Sequence, residues 1–198
     1  FSAGPGGGHT GRTDGRTEPA MALAPQLEPL APLLGRWRGR GRGHYPTIAD
    51  FEYLDAWEFL DVGKPFLHFA EHTAHPVTGA RMHTEAGYLR VPAPGVVEIV
   101  TAVPTGQAEQ GAGTLTAGGG VLTIETDAAV TNTPTAKRVD RILRRFRLEG
   151  DELRYEMTMA AVGLEPTPHL DAVLRRVPQD GPQDGPEGSL FTWPGASE

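Results

Sequence analysis

Apolar and polar positions alternate with a period of two along most of this chain. Leu153, Tyr155, Met157 and Met159 alternate with Arg154, Glu156 and Thr158, as in a sheet packed on one face and wet on the other. Phe51, Tyr53, Trp57 and Phe59 share one parity in the same way. The pattern predicts strands over 34–42, 50–61, 66–73, 81–91, 96–103, 108–116, 121–126, 136–148, 152–161 and 170–177. Turn residues separate them, among them Gly63-Lys64-Pro65, the glycines at 118–120 and Glu149-Gly150-Asp151. Residues 26–34 (QLEPLAPLL) predict one short helix ahead of the first strand.

Short strands at hairpin spacing, with no helices between them, predict an antiparallel meander. Closing a meander removes its exposed edges, so the expectation is all-β: a ten-stranded antiparallel up-and-down β-barrel with a short N-terminal helix. A β-sandwich is the competing architecture. A barrel of more than about eight strands encloses more space than its own side chains fill, which predicts a ligand cavity. Residues 1–21 and 178–198 are rich in Gly and Pro and offer little to bury. Both are expected to be disordered tails around one domain, 22–177.

Composition narrows the chemistry. The net charge is −7 and the pI about 5.5, so neither nucleic acid nor a membrane surface is an expected partner. Small-molecule ligands are expected instead, and a homodimer stays open. With no cysteine, disulfides, thiolate catalysis and Cys-ligated metal sites are excluded. No signal-peptide pattern is read at the N-terminus, and a cytoplasmic protein is expected. The seven histidines show no zinc-site spacing. His44 reads as a loop residue beside the glycines, and His68, alternating with Phe66 and Ala70, as a core histidine.

The most specific segment is GRWRGRGRGHYPTI, residues 35–48. Gly35, Gly39, Gly41 and Gly43 share a parity with Trp37 and strip side chains from one face of a strand. That permits a bend or a close approach, with Trp37 plugging the same face. This segment resembles the G-x-W-x-G-x-G signature of the nitrobindins. The resemblance continues through FEYLDAWEFLDVGKPFLHF, MHTEAGYLR, KRVDRILRRFRLEGDELRYEMTMAAVG and PHLDAVLRRV, and so covers the whole domain but not the tails. It implies a fatty-acid-binding-protein/lipocalin-like barrel with one haem b per subunit in place of a lipid. It also implies nitric oxide binding at the reduced iron and isomerisation of peroxynitrite to nitrate. A lipophile carrier without haem and a non-catalytic nitric-oxide sensor or store are the alternatives.

The resemblance assigns the axial iron ligand to His169, within Pro168-His169-Leu170, and a haem contact to Thr47. Independently, Pro166 and Pro168 stiffen the backbone before His169, and a neutral imidazole is the usual proximal haem ligand. An exposed loop histidine is the plain alternative. His83, in MHTEAGY, is a candidate distal residue or else a solvent-facing histidine beside Glu85. The run Lys137, Arg138, Arg141, Arg144, Arg145 and Arg147 reads as a solvated strand face that pairs with carboxylates. Lys137 is the candidate partner for the haem propionates at the barrel mouth. Met157 and Met159 read as core packing rather than as a second axial ligand. Beyond the iron, no side-chain acid or base is required.

Overall fold

The computed structural model describes residues 22–178. Ten antiparallel strands form a closed barrel in sequence order, with the last paired to the first: β1 Gly35–Tyr45, β2 Ile48–Asp61, β3 Leu67–Ala74, β4 Arg81–Ala93, β5 Val96–Val103, β6 Gln107–Gly118, β7 Val121–Asn132, β8 Val139–Glu149, β9 Glu152–Ala161 and β10 Thr167–Arg176. The closing pair runs from Trp37 opposite Arg176 to Gly43 opposite Leu170. The expected barrel is observed, with boundaries adjusted. β1 continues through the glycines and takes in His44. β7 extends to Asn132, six residues beyond the expected end, and β8 starts at Val139 rather than at 136.

The N-terminal helix is a 3₁₀ helix, Pro25–Leu33. Pro29 and Pro32 lack the N–H that an α-helix would use, and the buried Leu27, Leu30 and Leu33 recur every three residues, the 3₁₀ period. The helix packs on β4 and β7 and closes one end of the barrel. The Trp37 indole N–H donates to the Leu33 carbonyl at 2.8 Å, and the Arg176 guanidinium lies 4.2 Å from the Trp37 ring centroid. Above this floor sits an aromatic layer. Trp57 stacks on Phe59 at 5.6 Å and meets Phe146 edge-on at 5.2 Å, and Phe146 lies 4.9 Å from Tyr155. The turns at this end are tight: Gly119 and Gly120 both take positive φ, as a two-residue hairpin requires.

The glycines of β1 have a specific packing role. A Cβ on Gly39 would lie 1.9 Å from the Val173 carbonyl oxygen, on Gly41 2.3 Å from the Tyr53 ring, and on Gly43 2.1 Å from the Phe51 ring. Phe51 and Tyr53 of β2 therefore lie back over a strand without side chains. This leaves the upper half of the barrel unfilled.

Candidate functional site

That upper half holds a cavity of about 410 Å³, within the range of small-molecule sites. Apolar side chains, among them Phe51, Ile142, Met157, Met159 and Leu170, make much of its wall.

His169 lines the cavity through a break in strand regularity. On β10, Pro168 pairs with Thr158 and Leu170 with Met157, so His169 is an extra residue bulged out of the ladder. Strict alternation would turn His169 outward, because Ala172 and Leu174 point in. The bulge lets His169 and Leu170 both face the cavity. The imidazole is half-buried, edge-on to Tyr45 at 5.3 Å and to Phe51 at 6.4 Å. Tyr45 is itself fixed, its hydroxyl accepting from the Ala161 N–H at 2.9 Å. His169 Nδ1 lies 2.8 Å from the His44 carbonyl oxygen, which can only accept. Nδ1 therefore carries the hydrogen, and Nε2 keeps a lone pair. Burial holds the imidazole pKa below its ordinary value, which also favours the neutral ring. A metal-bound histidine has this arrangement, with its second nitrogen tied to a backbone carbonyl. A roomy apolar cavity with one such histidine in its wall fits a haem, and Nε2 would be the ligand atom.

Of the other residues singled out from sequence, Lys137, His83, Met157 and Met159 line the same cavity and Thr47 does not. Lys137 lines the cavity from the β7–β8 loop and is exposed. Thr47 is exposed in the β1–β2 turn, outside the cavity wall but next to Ile48, which lines it. His83 lies in the wall. Met157 is buried and Met159 half-buried, and both line the cavity. Gly39 and Gly41 act through packing in β1, and Gly35 through its positive φ at the strand's start. Two expectations are corrected. His68 is not a core histidine, because Leu67 and Phe69 take the inward parity and His68 packs outside against Tyr88 at 5.5 Å. His44 is a strand residue, and its carbonyl orients His169.

The basic run divides by parity. Arg141 pairs outside with Asp127, and Arg145 with Glu125. Arg144, sharing its parity with Ile142, Phe146 and Leu148, is 2% exposed and points into the barrel, against the expected solvated face. Its guanidinium donates to Glu85 at 2.6 and 2.8 Å, to Glu109 at 2.5 and 3.0 Å, and to the Tyr155 hydroxyl at 2.7 Å. Burial by itself would raise the Glu85 carboxyl, but Arg144 outweighs it and holds the pKa at about 2. Glu71 and Asp55 are buried beside this network without an arginine of their own, and burial pushes Asp55 up to about 7. This polar layer between the aromatic layer and the cavity was missed from sequence. Its one signal was charge at inward parity: Asp55 between Tyr53 and Trp57, and Glu71 after Leu67 and Phe69.

A family model described as the THAP4-like, heme-binding beta-barrel domain matches residues 26–176. A protein named peroxynitrite isomerase 2 from Mycobacterium marinum is 53% identical over 155 residues, which cover 78% of this chain and 96% of that one. Peroxynitrite isomerase 1 of Mycobacterium tuberculosis strain H37Rv is 48% identical over 158 residues, with the same coverage. The crystal structure of Rv2717c from M. tuberculosis superposes with a TM-score of 0.78 at 46% identity, covering 79% of this chain and all of that one.

Proposed function

The chain belongs to the THAP4-like, haem-binding β-barrel family, and from that premise we propose that it carries one haem b on His169 and isomerises peroxynitrite to nitrate. The observation that carries the assignment of His169 is its Nδ1 contact with the His44 carbonyl, which leaves Nε2 bare in the wall of an apolar cavity. When bound, haem supplies the iron centre at which the peroxynitrite anion is rearranged.

The protein's share of the work is holding and sheltering. Tyr45 and Phe51 fix the plane of the His169 ring by edge contacts. Ile142, Met157, Met159 and Leu170 keep water from the haem faces. Lys137, at the rim, is the cation for the haem propionates, and Thr47, in the adjoining turn, is a further contact. His83, elsewhere in the cavity wall, would be the candidate distal residue. Nitric oxide is a second ligand of the same iron. The protein works in the cytoplasm on small molecules rather than on nucleic acid or membrane, in keeping with its net charge of −7.

The test is spectroscopic and then kinetic. The haem-reconstituted protein is expected to show a Soret band, and His169→Ala to lose most of it while the circular dichroism spectrum stays that of a β-barrel. Stopped-flow mixing with peroxynitrite is expected to show accelerated decay, with nitrate as the product. A Soret band untouched by His169→Ala would refute the ligand assignment, and decay no faster than in buffer would refute the isomerase reading.

A further inference from the structure

Away from His169, the cavity wall holds a second set of donor atoms. Glu71, His83 and Glu85 each offer one ligand atom, and these atoms lie within 4.8 Å of one another. Register brings them together. Glu71 and Glu85 are direct partners across β3 and β4, both on the inward face, and His83 lies two residues before Glu85. The His83 backbone N–H donates to Thr73 Oγ1 at 2.9 Å, which anchors this stretch of β4.

The spacing is informative. His83 Nε2 lies 3.5 Å from Glu85 Oε2 and 3.7 Å from Glu71 Oε2. Both separations exceed that of a good hydrogen bond. They approach the spacing of two donors on one ion, since ligands about 2.1 Å from a tetrahedral zinc stand about 3.4 Å apart.

Charge supplies an independent argument. Asp55, Glu71, Glu85 and Glu109 are four buried carboxyls, and Arg144 is the one buried guanidinium among the described residues. Arg144 directs its N–H groups to Glu85, Glu109 and Tyr155, and none to Asp55 or Glu71. Asp55 is wholly buried against Glu71, and its Oδ1 has no hydrogen-bond partner. His83, 3.7 Å from Glu71 and 3.5 Å from Glu85, can carry part of the compensating charge when protonated, and a cation held by the three side chains would supply the rest.

We propose that Glu71, His83 and Glu85 bind one divalent cation of the zinc type, with the Asp55 carboxylate as outer support. Imidazole with carboxylates is a donor set that Zn²⁺, Mn²⁺ and Fe²⁺ accept. Three protein ligands leave a coordination position open, and because all three side chains line the cavity it faces the same space as His169. The ion lowers the negative charge that an anionic ligand meets on entering.

The test uses the full-length, haem-loaded protein, freed of other metals with a chelator and titrated with Zn²⁺ by calorimetry. One ion per chain is expected. Glu71→Gln and His83→Gln should each weaken binding about tenfold or more. His75→Ala, at an exposed turn histidine, should leave the isotherm unchanged. The same titration is run on the full-length chain without added haem, and its heat is read separately from the Soret band, so a failed haem assignment does not disturb it. If Glu71→Gln does not fold, the half-exposed His83 carries the comparison alone. Absence of a one-to-one isotherm, or an isotherm that survives His83→Gln unchanged, overturns the proposal.

Discussion

At the scale of single residues, Arg144 shows how much one inward charge can decide. It joins β4, β6, β8 and β9 through Glu85, Glu109 and Tyr155, all inside the barrel. Arg144→Met would leave two buried carboxylates without their counter-charge, and the expected loss is about 3–5 kcal/mol of unfolding free energy, read from urea denaturation. A loss below about 1 kcal/mol, the worth of an exposed pair, would mean that the network is wet. His169 is the complementary case, where the neighbour that orients the ring is a backbone carbonyl. The sequence offered His169 as a ligand, but nothing in it pointed to His44 as the partner of Nδ1.

At the scale of elements, two irregularities shape the site. The first is the bulge in β10. Deleting Pro168 should restore regular alternation, turn His169 to the outer face and abolish the Soret band while the barrel still closes. Retention of haem by that variant would show that the bulge does not aim the ligand. The second is the bare face of β1. Gly39→Ala drives a Cβ into the backbone of β10 at the barrel seam, where nothing flexible can yield. Its expected cost is about 1–3 kcal/mol, read from thermal or urea unfolding. Gly43→Ala meets the Phe51 ring instead, a side chain of the cavity wall that can swing aside. It should therefore weaken haem binding more than it weakens the fold, which a haem titration run beside a melting curve would reveal. The strands themselves were legible because each is half-buried and so alternates. The bulge was not, because one extra residue leaves the composition of β10 unchanged.

At the scale of the whole molecule, the described barrel closes on itself through β1 and β10, with a 3₁₀ helix across one end and the cavity at the other. A chain cut to residues 22–178 is expected to melt within a few degrees of the full-length protein and to bind haem at the same stoichiometry. A large drop in melting temperature would show that the excluded segments contribute to the fold, contrary to the domain limits read from composition. Those excluded segments include Leu190, Phe191 and Trp193, which lie outside the described residues.

The sequence alone determined the strands and favoured their closure into a barrel over a β-sandwich. Period-two alternation broken by glycine turns leaves a closed meander as the arrangement that buries one face of every strand and exposes no edge. It also named His169, through an ordered set of segments rather than through spacing. Tertiary structure decided which way particular side chains point. Parity along one strand shows that residues share a face, but inside and outside are assigned by what packs there. Arg144 therefore read as part of a solvated face until the neighbouring strands enclosed it. A bulge or a bare glycine face acts only through the strand beside it: His169 enters the cavity because β9 is in register around it, and the cavity exists because Phe51 and Tyr53 lie against β1.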